Sequence, residues 1–110
     1  MAIVNQQLTT TQLDMITVPG GKSYAITNIL VCNNGSAAAA FDIHLIPQSS
    51  SLSNTVTRVI NNLELPASET FTFDSEKIVL EDGDKIAFVA QPDIGAGATD
   101  LSATVSYLEV

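Results

Sequence analysis

The stretch Leu63–Gln91, LELPASETFTFDSEKIVLEDGDKIAFVAQ, decides the fold class. Three short apolar segments lie in it, Phe71-Thr72-Phe73, Ile78-Val79-Leu80 and Ile86-Ala87-Phe88-Val89. Between them sit Pro66-Ala67-Ser68-Glu69 and Glu81-Asp82-Gly83-Asp84, two groups that punctuate rather than pack. Asp-Gly between alternating apolar residues is a strong hairpin signal, because a type I′ turn needs positive φ at both central residues. The stretch therefore predicts a β-hairpin turning at Asp82-Gly83, beside which the rest of the chain must fit.

Toward the C-terminus, Gln91–Ala98 is a loop rich in glycine and small residues, the kind that often carries contacts. Asp100–Val110 then alternates, with Leu101, Ala103, Val105 and Tyr107 on the packed face and Ser102, Thr104 and Ser106 on the wet one. Toward the N-terminus, Val56–Leu65 is ambiguous. The spacing of Val56, Val59, Ile60 and Leu63 matches a helix, but Asn61-Asn62 and Pro66 oppose one, so a bent or bulged strand is expected. Gln48–Asn54 is a polar loop. Ala37–Ile46 begins with four alanines of high helix propensity, yet Phe41, Ile43 and Leu45 alternate with polar residues, which predicts a strand.

Ser23–Asn33 is the expected central strand, with Tyr24, Ile26, Leu30 and Cys32 on one face and Ala25, Ile29 and Val31 on the other. Apolar residues on both faces imply burial on both sides, or burial of one face against a partner. Pro19-Gly20-Gly21 ends a strand over Leu13–Val18. Ala2–Leu8 reads either as an edge strand or as an arm, residues 1–8, lying on a neighbour. In the arm reading the domain folds without it. In all, about eight strands are separated by turn signals and no helix is predicted. That pattern belongs to a sandwich or barrel, and a jelly-roll-like Greek-key antiparallel β-sandwich is the leading architecture.

A chain of 110 residues makes one domain over 1–110, long enough to bury a core without disulfides or metals. Charged residues are 15% of the chain, below the roughly 25% of an average soluble domain. Ser, Thr, Asn and Gln fill the deficit, as suits strands and surfaces that meet other protein. The net charge of −8 repels polyanions, and Lys22, Arg58, Lys77 and Lys85 are scattered, so no nucleic-acid footprint is present. The N-terminus lacks the pattern of a secretory signal, and no apolar window is long enough for a membrane-spanning helix, which predicts a chain that stays in aqueous solution. Cys32, the single cysteine, lies among apolar neighbours and reads as a buried thiol.

Catalytic chemistry has little to work with. His44 is the single histidine, expected to be solvated on the polar side of its strand with Asp42 two residues away on the same face. No nucleophile elbow accompanies the pair. Asp74, Glu76, Glu81, Asp82 and Asp84 form an acidic cluster that could offer oxygens to a hard cation, but its spacing is not that of a calcium loop and turn formation accounts for it. Gly95-Ala96-Gly97 opens no helix and is not a phosphate cradle. Sugar platforms lean on exposed aromatics, whereas Tyr24, Tyr107 and the four phenylalanines read as core. No catalytic, cofactor-binding or metal-binding residue is expected.

LELPASETFTF, SEKIVLEDGDKIAFVAQ and the closing strand LSATVSYLEV together resemble small virion structural proteins of tailed bacteriophages, cyanophages among them. The shared pattern maps onto Leu65–Thr72, Leu80–Ile86 and Thr104–Val110, and Tyr24–Asn34 is similar to an early strand of such proteins. The resemblance implies a non-enzymatic protein on the capsid exterior, assembled in the host cytoplasm. It would decorate or cement the shell through contacts with the major capsid protein or other virion proteins. It also implies a homo-oligomer, a trimer being favoured, without nucleic acid, membrane or cofactor. Tail or neck assembly is the alternative within the resemblance, and a carbohydrate-binding sandwich the alternative outside it.

Overall fold

The computed structural model describes residues 2–73, 78–91 and 100–110. In these the chain forms nine strands: β1 (Ala2–Gln7), β2 (Leu13–Thr17), β3 (Tyr24–Asn33), β4 (Ala39–Ile46), β5 (Arg58–Leu65), β6 (Thr70–Phe73), β7 (Ile78–Leu80), β8 (Lys85–Ala90) and β9 (Leu101–Glu109). They make two antiparallel sheets. One has the order β1-β9-β3-β6, with β7 also paired to β3, and the other has the order β2-β8-β4-β5. The expected all-β sandwich is what the chain adopts. Its core lies between the sheets, where Ile29, Val31, Ala103 and Val105 of the first meet Phe41, Ile43, Ile86 and Phe88 of the second. Burying each large side chain there contributes about 1.5–3 kcal/mol.

The hairpin expected at Asp82-Gly83 does not form. β7 pairs with β3 in one sheet, whereas β8 pairs with β2 and β4 in the other. The turn is real: Asp84 N–H donates to the Glu81 carbonyl at 2.9 Å, and Gly83 has φ of 83°. Asp82, however, is not among the described residues with positive φ, so this is the type II arrangement rather than I′. Type II turns splay the strands that they join, where a primed turn would keep them paired.

Two other corners are built alike. Lys22 N–H reaches the Pro19 carbonyl at 3.2 Å with Gly21 at φ 80°, and Glu69 N–H reaches the Pro66 carbonyl at 3.2 Å with Ser68 at φ 65°. Each of the three corners carries the chain from one sheet to the other.

β3 is central, as expected, but its faces differ from simple alternation. A register shift between Ile26 and Asn28 against β9 puts a bulge at Thr27. One extra residue reverses the phase of everything after it. Tyr24, Ile26, Ile29 and Val31 therefore all face the core, while Ala25, Leu30 and Cys32 face away. Both faces of β3 carry apolar residues, as expected, but the bulge exchanges Ile29 and Val31 with Leu30 and Cys32 between them. Cys32 is accordingly half-buried on the outer face, its Sγ 3.4 Å from Asn34 Oδ1, and not a core thiol.

β5 is the bulged strand expected, with two register shifts against β4 and Asn62 at φ 52°. At the N-terminus, β1 pairs with β9 over six residues, Ala2↔Tyr107 to Gln7↔Ser102, and Leu8 is fully buried. Of the two readings of this segment, the chain takes that of the edge strand.

Candidate functional site

Strand alternation turns Asp42 and His44 to the face of β4 opposite Phe41 and Ile43, which is why both read as solvated. Instead Asp42 is 3% and His44 0% exposed. The connection 47–57 fastens onto His44, and Arg58, Asn62 and Gln91 bond to Asp42. Thr57 brings its backbone carbonyl to Leu45 N–H at 2.9 Å and its hydroxyl to His44 Nδ1 at 2.8 Å. That hydroxyl also donates to the Ser53 carbonyl at 2.9 Å and accepts from Ser53 N–H at 2.9 Å. With the Thr57 proton committed to Ser53, Nδ1 carries the imidazole proton and donates it to Thr57, an assignment made from the bond network. His44 Nε2 then presents a buried lone pair without a partner. Burial lowers the His44 pKa from its ordinary 6.5; Asp42 pulls it upward, and Arg58 adds to the lowering.

Asp42 is fully engaged. Its Oδ1 accepts from Asn62 N–H at 2.6 Å, and its Oδ2 accepts from Gln91 Nε2 at 2.8 Å and Arg58 Nη1 at 3.4 Å. The carboxylate thus pins the β5 bulge, the exit of β8 and the guanidinium at one point. Beside it lies a pocket of about 370 Å³, bordered by Thr10, Gln12, Asn54 and Arg58. In the wall contributed by Asp42 and His44, the carboxylate and His44 Nδ1 are committed to bonds within the chain, and His44 Nε2 is buried. Thr57, the hydroxyl in contact with the imidazole, is itself buried and donates to a backbone carbonyl. This geometry locks a connection onto a sheet; it does not activate a nucleophile.

The opposite side of the sandwich offers a surface of another kind. Outward residues of the five-stranded sheet line up in cross-strand rows: Gln7, Ser102, Cys32 and Thr70, then Asn5, Thr104, Leu30 and Thr72. Next come Ile3, Ser106 and Asn28, and last Leu108, Ala25 and Val79. Among the described residues of these rows none is charged, in a chain with 12 acids and 4 bases. Ile3, Val79 and Leu108 are exposed apolar side chains within it. Depletion of charge is a mark of interface centres rather than of open surface.

Of the acidic cluster, Asp74 and Glu76 lie outside the described residues, as does the glycine-rich segment 92–98. Asp84 spends both carboxylate oxygens on backbone, accepting from Gln48 N–H at 2.9 Å and Glu81 N–H at 3.0 Å. Asp82 Oδ2 accepts from Gly21 N–H at 3.4 Å. These contacts tie two inter-sheet corners and the start of the 47–57 connection together. Tyr24 and Tyr107, expected in the core, lie with ring centroids 4.5 Å apart, tilted by 32°, and pack half-buried against it. Among the described residues no helix is long and apolar enough to cross a membrane. No protein-family model matches the chain, and no curated protein matches it.

Proposed function

We propose that this chain is a non-enzymatic phage virion structural protein of the capsid decoration or cement type, acting through protein–protein contacts. The observation that carries the reading is the outer face of the five-stranded sheet, whose cross-strand rows hold no charge among the described residues. In a chain of net charge −8, the described residues of these rows include no acid, and such segregation serves contact with other protein. The strand orders support the finer architectural reading. Neighbours 1-9-3-6 and 2-8-4-5, with the chain changing sheets at most connections, follow the plan of two interleaved Greek keys in a jelly roll. The sequence resemblance supplies the virion, the capsid exterior and self-association, three copies being the number that it implies.

The test is location. In purified virions the chain should be present in many copies on the shell, seen as density or antibody label on the capsid exterior. Thr104→Glu, which puts a charge in the middle of the outer face, should lower shell occupancy without unfolding the chain. Label confined to tails or necks would move the protein to that assembly. Absence from particles would overturn the virion reading altogether.

A further inference from the structure

Four strand edges end the two sheets, and three of them are guarded. β2 carries a bulge between Asp14 and Ile16 and the Lys85–Asp14 ion pair at 3.6 Å. β5 carries two register shifts, a left-handed Asn62, and the charges of Arg58 and Glu64. The β6–β7 edge is broken into pieces of four and three residues. Short strands, bulges and charges are the devices by which proteins keep sheet edges from pairing.

β1 has none of them. Its sequence AIVNQQ holds no charge and no proline, and its six residues pair with β9 in unbroken register. Five of the six are exposed, Ile3 to 67%.

We infer that β1 pairs with β1 of a second copy of this chain, antiparallel across a twofold axis, joining the two five-stranded sheets into one. Four features favour a second copy as the occupant. The edge is self-complementary, because antiparallel pairing about a twofold lets each residue of one copy meet its counterpart by the reciprocal contact. Six residues per strand give about six inter-chain backbone hydrogen bonds. Two chains each bearing −8 approach at low cost only where neither presents an acid, and β1 and its neighbouring rows present none. Pairing also makes the charge-free rows continuous across both copies, doubling the face assigned above to the shell. The inference rests on the self-association part of the proposed function and not on its virion part. It gives two copies where the resemblance implies three.

Sedimentation equilibrium on the isolated chain, from about 1 μM to about 1 mM, decides between them. The expected result is a concentration-dependent species of twice the chain mass. The double variant Ile3→Lys, Asn5→Lys, whose side chains lie outward, should lose that species while keeping the circular dichroism and, at concentrations where the wild-type chain is monomeric, its thermal transition. Val59→Lys, on guarded β5, should retain it. Amide exchange provides a second reading: alternate β1 amides, those turned away from β9, should gain protection on association. A wild-type chain that stays monomeric over the whole range, a trimer, a dimer that survives the double lysine variant, or unchanged β1 exchange would each overturn the inference. A trimer would leave the self-association reading standing, and location in the particle is measured independently.

Discussion

His44 Nδ1 donates to Thr57 Oγ1 across 2.8 Å, and this bond fastens the 47–57 connection to the outer face of the four-stranded sheet. Burial of the same imidazole makes the fold sensitive to acid. The folded chain holds the imidazole neutral, with its pKa lowered chiefly by burial, while in the unfolded chain it titrates near 6.5. Below that pH the unfolded state binds the proton and the folded state does not, so stability falls as pH falls. Thermal unfolding between about pH 7.5 and about pH 5.5, above the range in which most carboxylates titrate, should show a falling midpoint. His44→Gln should flatten that slope. An equal slope in the variant would assign the acid sensitivity elsewhere.

Thr57→Val keeps the shape of the side chain and removes the hydroxyl. Two groups then lose their partner, His44 Nδ1–H and Ser53 N–H, and the Ser53 carbonyl keeps only its bond from residue 57 N–H. Buried unpaired groups cost about 1–3 kcal/mol each, less where water reaches them. A loss of about 2–3 kcal/mol in urea unfolding is expected, with faster amide exchange across 47–57. If exchange rises there without a change in the global transition, the connection opens as a local unit.

The Asp42 carboxylate holds three donors, of which Arg58 is only partly buried. Asp42→Asn removes the charge and turns two of its hydrogens toward donors. Breaking a buried pair costs about 3–5 kcal/mol, and the residual exposure of Arg58 reduces this to about 2–3 kcal/mol. Arg58→Met in the Asp42→Asn background should recover part of the loss, because it removes the stranded guanidinium. A double-mutant cycle by chemical denaturation measures the coupling.

The inter-sheet corners give opposite predictions for two positive-φ sites. Ser68 sits at φ 65° where glycine would be unstrained, so Ser68→Gly should stabilise the chain by up to about 1 kcal/mol. Gly83 at φ 83° has no room for more, since an added Cβ would come within 2.5 Å of Gln48 Cγ. Gly83→Ala should destabilise by at least about 1–2 kcal/mol. Midpoints in urea at unchanged slope would check both.

These corners also show what the sequence could and could not disclose. Alternation and turn residues suffice for the class, since they report local backbone preference and one-sided burial. Asp82-Gly83 correctly marked a reversal, but whether its strands stay paired depends on the sign of φ at Asp82, which the dipeptide leaves open. The Thr27 bulge carries no compositional mark, and it alone reassigns Ile29, Val31 and Cys32 between faces. His44 and Asp42 were misplaced for a different reason. Period-2 alternation says which face a residue takes, not whether a polar connection of the same chain returns to cover that face. Asn33 was missed likewise: fully buried, it donates to the carbonyls of Ala37 and Leu65 and accepts from Gly35 N–H, holding the β3–β4 crossing to the end of β5. A polar residue spent on backbone 32 positions away leaves no pattern to read.

The first eight residues give the last prediction, which opposes the expectation that the domain folds without them. Leu8 is 0% exposed within the core, and its N–H donates to the Leu101 carbonyl at 2.9 Å. Replacing a buried leucine by alanine costs about 2–5 kcal/mol. Deleting residues 1–8 removes that side chain, exposes the inner side of β9 that Val4 now covers, and frees the β9 edge along six paired positions. The deletion should therefore destabilise more than Leu8→Ala alone, against a total stability of about 5–15 kcal/mol for a domain of this kind. Circular dichroism and denaturant titration of the truncated chain beside Leu8→Ala will check the ranking. A truncated chain as stable as the full one would mean that β1 and Leu8 add little to the sandwich.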